Sequence, residues 1–279
     1  MELAFDHIVH LVQDPVEAAA HFRAHGLHAL EGGRHANWGT YNSLCYFDLS
    51  YIEFLGIFNR TLAEAEQENL LVRDSARRLP NQEGFARIAL RTKDIVRTAS
   101  QLKERGLHVI GPFLGSRVRP DGKHLEWSML FVESEDSALS LPFFIQWGES
   151  DAERRMDLQE RGVIAPHSIG QLSLGAVKFA VKDLDRCVQQ WSNWFGLEAG
   201  ETYHDESLHA ACKTLQLPGG NLVFCSPTGN GAVTEILDTQ GETPFALEAI
   251  GSTRDRSIHL FGATYECKSI ANDERGHGE

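Results

Sequence analysis

Phe5-Asp6-His7-Ile8-Val9-His10 decides how this chain is read, because its opening is written a second time further along. Phe85-Ala86-Arg87-Ile88 falls under Phe5-Asp6-His7-Ile8 without a gap. Asp94 then falls under Asp14, and Gly106-Leu107-His108 under Gly26-Leu27-His28. A repeat of about 80 residues is too long for a solenoid unit and marks a duplicated supersecondary module. His7 in the first copy is matched by Arg87 in the second. A duplicated scaffold with a changed residue in one slot points to a site at the seam of the copies.

Working outward, each copy carries the same local signals. An apolar strand over residues 4–12 leads to Asp14, a helix N-cap followed by Pro15. The helix stops at Gly26. A short strand over 27–31, a turn-rich loop over 32–40 and strands over 41–49 and 51–58 complete a βαβββ order. The second copy repeats it: strand 87–92, a helix between Asp94 and Gly106, strand 108–113, a turn-rich loop over 115–122, and strands 124–132 and 143–147. Residues 62–78, rich in Glu and Arg, read as a surface linker helix. A third copy begins near Leu172 with strand 174–181, a helix capped by Asp183 and ended by Gly196, and strands 210–217 and 221–226. A shortened fourth unit starts near Pro244 without a clear helix, and 149–168 read as a connector. The expected organisation is a site-bearing pair of modules over 1–150, a structural third and degenerate fourth module over 168–270, and a flexible tail over 271–279.

Composition narrows the function classes. The 279 residues are 42% hydrophobic and 23% charged, as in ordinary globular proteins. The net charge of −13 gives no basic footprint for a nucleic acid. No apolar run reaches the ~18 residues of a membrane span, and the N-terminus has no basic leader. Five cysteines without C-x-x-C spacing suggest neither a disulfide framework nor a zinc knuckle, which fits a cytoplasmic protein.

The motifs Phe5-Asp6-His7-Ile8-Val9-His10, Gly32-Gly33-Arg34-His35, Trp38-Gly39-Thr40-Tyr41-Asn42, Tyr51-Ile52-Glu53, Arg119-Pro120-Asp121-Gly122 and Pro142-Phe143-Phe144-Ile145-Gln146-Trp147 are similar to those of a known group. They resemble the vicinal oxygen chelate superfamily, and within it the glyoxalase-like domain family. The resemblance implies an α+β fold of tandem βαβββ modules of the glyoxalase, bleomycin-resistance and extradiol dioxygenase type. Such modules pair into curved mixed β-sheets with helices outside, and a pocket lies on the concave face. In metal-dependent relatives each module supplies two ligands, from the positions held here by His7, Glu53, Arg87 and Gln146. The match at Gln146 admits a shift of one residue.

Two readings of the site follow. A divalent metal wants imidazole and carboxylate donors together, and His7, Glu53 and a His35 swung in from its loop would make such a set. Against this, Arg87 has no lone pair to donate and repels a cation. The other reading has no cofactor. His7 and Glu53 form an acid–base pair, and Arg87 grips a substrate carboxylate with its forked donors. Gln146, His35, Asn42, Arg117 and Trp127 complete the candidate substrate-binding set, with Trp127 or Trp147 as an aromatic wall. The third module has Ala176 or Val177 and Val223 in the matching slots, so it is expected to be structural or a homodimer surface. The function expected is an enzyme acting on a small carbonyl- or carboxylate-containing molecule. The alternative is a protein that sequesters a toxin or antibiotic without chemistry.

Overall fold

The computed structural model describes residues 1–119 and 122–270. The tail expected over 271–279 and the centre of the Arg119–Gly122 turn lie outside the described residues. The first module is β1 (Leu3–Leu11), α1 (Pro15–Ala24), β2 (Ala29–His35), β3 (Thr40–Phe47) and β4 (Ser50–Ile57). Helices α2 (Arg60–Ala65) and α3 (Leu70–Arg78) lead to the second module: β5 (Gly84–Thr92), α4 (Ile95–Glu104), β6 (His108–Val118), β7 (His124–Glu133) and β8 (Phe143–Trp147). Then follow α5 (Asp151–Glu160), β9 (Gly170–Ala180), α6 (Leu184–Phe195), β10 (Ala199–Asp205), β11 (Ala210–Leu215), β12 (Asn221–Pro227), α7 (Ala232–Gln240), β13 (Thr243–Ser252), β14 (Arg256–Leu260) and β15 (Ala263–Ser269).

The repeated helix signals act as read. Asp14, Asp94 and Asp183 are N-caps whose carboxylates accept from first-turn backbone N–H groups. Gly26, Gly106 and Gly196 follow the helices with φ between +70° and +85°, which a residue bearing a Cβ rarely adopts.

The strands form two sheets. The larger runs β2-β3-β4-β1-β5-β8-β7-β6, two four-stranded modules joined where β1 pairs antiparallel with β5. The smaller runs β10-β11-β12-β9-β13-β15-β14 and repeats the pattern with an abbreviated second half that has no helix between β13 and β14. The convex faces of both sheets and the helices α1, α4 and α6 share one apolar core, running from Phe5, Phe22 and Phe54 to Trp191, Phe195 and Phe224. The two halves are therefore fused through their backs, and each concave face points away from that core.

Two sequence readings are corrected here. Gly32–His35 and Gly115–Val118 are strand, not loop, because β2 and β6 continue through their glycines and leave only a short turn at residues 36–39. A glycine signals a turn only when nothing packs against it. Here Asn42 lies against Gly32 and Arg117 against Gly33, in space that a Cβ would fill. The stretch over 62–78 is also not a surface linker. It breaks into two helices, and α3 buries Leu70, Leu71, Val72, Ser75 and Ala76 against the larger sheet.

A buried histidine pins the two halves together. His10 on β1 has no solvent exposure; its Nε2 donates to the Phe261 carbonyl at 2.8 Å, so its Nδ1 accepts from the Tyr265 hydroxyl on β15. Burial dominates its titration, and its pKa is pushed down to about 4. His167, hydrogen-bonded to the Tyr46 carbonyl, is likewise held to about 4 by burial. Both are neutral in the folded state and titrate near 6.5 once unfolded, so protons favour the unfolded chain between those values. Stability should therefore fall as the pH drops from about 6.5 to about 4, with His10 alone worth up to roughly 3 kcal/mol. In urea titrations across this window, His10→Gln is expected to flatten the slope of unfolding free energy against pH by about one proton. An unchanged slope would show that His10 is not held neutral.

Candidate functional site

The larger sheet curls around a cavity lined by side chains from both modules and from α3. His7 and Glu53 meet at its floor. The parallel register of β1 and β4 sets Val9 opposite Glu53, which places His7 Nε2 3.5 Å from Glu53 Oε2. Asn42 on β3 donates Nδ2 to Glu53 Oε1 at 2.6 Å, while its own Oδ1 accepts from Gly33 N at 2.8 Å. The carboxylate is thus fixed by a side chain that the β2 backbone itself holds.

The other side of His7 is occupied by a residue that sequence reasoning missed. His7 Nδ1 lies 2.7 Å from Asp6 Oδ1. Neighbouring strand residues normally face opposite ways. A register shift between Phe5 and His7 against β5 breaks that alternation and turns both side chains to one side. Asp6 is fully buried, and its Oδ2 accepts from Trp147 Nε1 at 3.0 Å, Arg91 Nη1 at 3.2 Å and Arg154 Nη1 at 3.3 Å. Such a carboxylate accepts a hydrogen bond from Nδ1–H and leaves Nε2 facing Glu53 and the cavity. The His7 ring stacks on Tyr51 at 4.5 Å and meets Phe143 edge-on at 5.3 Å, so its plane is fixed as well.

The charges follow from these contacts. Burial works against ionisation of Glu53, but its bonds to His7 and Asn42 and the field of His7 and His35 win, and its pKa falls to about 2. Burial likewise opposes a charged His7, yet hydrogen bonds to Asp6 and Glu53 raise its pKa above the ordinary value. Asp6 is lowered: burial is overcome by Arg154, His7 and Arg91.

The remaining candidates divide. His35 lines the cavity, with Nδ1 3.0 Å from Thr40 Oγ1. Burial lowers its pKa, against the opposing pull of Glu53. Asn42, Arg117 and Trp127 also line the cavity, with Trp38, Phe143 and Trp147 as further aromatic walls. Arg87 does not line it. Its Nε and Nη2 donate to Asp74 of α3 at 3.1 and 2.7 Å and its Nη1 to the Leu141 carbonyl at 2.7 Å, so its donors serve the seating of α3. Gln146 is also turned away, with Oε1 accepting from Ile95 N at the start of α4. The β5–β8 register sets Ala89 opposite Phe143, as Val9 is set opposite Glu53, so Phe143 holds the slot assigned to Gln146. The alternation Phe143, Ile145, Trp147 carried that signal in the sequence. For Arg154, on α5 and far along the chain from Asp6, no sequence signal exists. It also extends the site past the boundary drawn at residue 150.

These slots do not fit the metal that relatives of this fold imply. One holds a guanidinium already paired with a carboxylate, another a phenyl ring. Among the described residues, no three His, Cys, Asp or Glu side chains come together as a metal-binding group. His7, Glu53 and His35 are therefore not assembled as a ligand set.

The concave face of the smaller sheet is covered by a helix. Val233, Ile236 and Leu237 of α7 pack on Ala176, Ala210, Cys212 and Val223 there. By register Ala176 matches His7 and Val223 matches Glu53. The face is not wholly apolar, since Lys178 opposite Val223 is buried and pairs with Glu266 at 2.9 Å.

Comparison with known proteins agrees with this architecture. No curated protein sequence matches the chain. A hypothetical protein from Staphylococcus aureus superposes with a TM-score of 0.76 at 25% identity, over 96% of this chain and 100% of that one. A triple mutant of 4-hydroxymandelate synthase from Streptomyces coelicolor superposes with a TM-score of 0.57 at 12% identity, over 90% of this chain and 71% of that one, a likeness of fold alone. The model of the glyoxalase-like domain matches residues 5–195. The chain belongs to the glyoxalase-like domain family.

Proposed function

We propose that the chain is an acid–base enzyme that moves a proton on a small carbonyl- or carboxylate-containing molecule held in the larger sheet. The observation that carries this reading is the line Asp6–His7–Glu53, two carboxylates flanking one imidazole at the floor of an aromatic-walled cavity. Asp6 fixes the tautomer, so Nε2 is the atom presented to substrate. In its neutral form His7 takes a proton from carbon next to a carbonyl, and the imidazolium formed lies between two anions that stabilise it. The same nitrogen then returns the proton. Glu53, held ionised, is the partner of that imidazolium rather than the primary base, since a carboxylate with a pKa of about 2 holds a proton poorly. Asn42 keeps Glu53 in place, and His35 and Trp127 border the substrate. The chemistry asks nothing of a metal.

His7→Ala is expected to lower kcat/KM by roughly 10²–10⁴-fold. Glu53→Gln should lower it too, and the double variant should be little worse than His7→Ala, because the pair acts as a unit. Activity should survive a chelator. Loss on chelation with recovery on adding a divalent metal would reject the mechanism. Ligand-induced stabilisation without turnover would point to sequestration instead.

The pH profile tests the role of Glu53 separately. A neutral base with a raised pKa gives activity that rises with pH through a limb above about 6.5. Removing the neighbouring anion in Glu53→Gln makes the imidazolium less stable, so the limb should move to lower pH. A limb that stays in place would show that Glu53 does not set the proton affinity of His7.

A further inference from the structure

The cavity adjoins a second, larger cleft between the β2–β3 hairpin, β6 and α5. Leu44, Tyr46, Arg117 and Trp147 line both. Two cations meet at this junction, and neither has its donors fully used. Arg117 on β6 is half-buried, and its side chain makes no hydrogen bond or ion pair among the described residues. Arg154 on α5 is 4% exposed; Nη1 binds Asp6 and the guanidinium lies against the Tyr46 hydroxyl, but Nη2 is enclosed without an acceptor in good hydrogen-bonding geometry. Its guanidinium lies 4.1 Å above the Trp147 ring, which leaves the edge of the fork, not its face, for a partner. An enclosed charged donor with no acceptor is costly, and a native structure keeps one where a ligand supplies the acceptor.

We infer that Arg117 and Nη2 of Arg154 form an oxyanion subsite that receives the carboxylate of an aromatic acid, whose ring lies in the adjoining cavity. The assignment rests on the acid–base reading only for what happens next to the carboxylate. The ring follows from the walls, where Trp38, Trp127, Phe143 and Trp147 surround the space between the junction and His7. The negative charge of the ligand follows from the cations that face it. Arg154 is already offset by Asp6, and Arg91 is shared between Asp6 and Asp151. Arg117 has no ion pair among the described residues, and a ligand carboxylate would supply one. Gly33 makes the arrangement possible, since a Cβ there would stand 2.3 Å from Arg117 Nη1.

The test is binding rather than turnover, so it stands apart from the fate of His7. Benzoate, phenylacetate and indole-3-acetate are titrated into the protein by calorimetry, beside phenylacetamide and phenyl phosphate. At least one of the three carboxylates is expected to bind, and to bind at least tenfold more tightly than phenylacetamide or phenyl phosphate. Arg117→Gln should weaken it by about 10–100-fold, the size of a charge-assisted bond. Gly33→Ala should also weaken it by displacing the guanidinium without removing its charge. His7→Ala and Glu53→Gln should retain binding. If none of the three carboxylates binds, if the amide binds as well as the acid, or if Arg117→Gln leaves affinity unchanged, the subsite is refuted whatever the catalytic variants do. Tighter binding of phenyl phosphate would replace the carboxylate assignment with a phosphate.

Discussion

Everything at the site depends on one carboxylate that has no contact with solvent. Asp6 gathers the His7 imidazole, two guanidiniums and an indole N–H around its two oxygens. Bare burial of a carboxylate would neutralise it. Here Arg154, His7 and Arg91 more than offset that cost and keep it ionised. The donors come from β1, β5, β8 and α5, so the same contacts that hold the charge hold four elements in register. A buried ion pair adds little net stability compared with apolar packing, but losing one partner strands a charge. The network is therefore better understood as a device for placement. It fixes which nitrogen of His7 faces the cavity and how far α5 sits from the sheet.

Duplication explains why the site is asymmetric. The two halves of the larger sheet offer equivalent slots, and the second copy has lost its donors at both. Arg87 stands where His7 does, and Phe143 where Glu53 does. Neither is idle: Arg87 ties down α3 through Asp74, and Phe143 packs edge-on against the His7 ring. One copy supplies the ionisable pair, while the other supplies the apolar wall and the cation at Arg117. The seam between β1 and β5 brings them together, because it lets side chains from both modules share one concave face.

The repeat, the helix caps and the βαβββ order were legible because they rest on short-range rules. Asp14, Asp94 and Asp183 announce helices, and Gly26, Gly106 and Gly196 end them. His7, Glu53, Asn42 and Trp127 were legible as cavity residues because period-two alternation and a known module placed them. What escaped depends on register or on long sequence separation. One bulge brings Asp6 beside His7, and no local pattern reveals it. A shift of one residue exchanges Gln146 for Phe143, and only the β5–β8 pairing decides it. Arg154 meets Asp6 across 148 residues, more than half the chain. The glycines of β2 and β6 misled because the sequence shows their flexibility but not the side chains packed against them.

The smaller sheet shows what separates a scaffold from a site. It has nearly the same strand order, and its concave face starts from the same geometry. Small residues at Ala176, Ala180, Ala210 and Cys212 let α7 settle directly onto that face, so the space is filled by Val233 and its neighbours. Lys178 there meets Glu266 and is satisfied within the protein. In the larger sheet Asp74 ties α3 to Arg87 on β5, and the bulky rings that line the space between α3 and the sheet leave a cavity. The fold supplies a concave face twice. Only where the side chains prop it open, and leave polar donors without protein partners, does a cavity remain for a ligand.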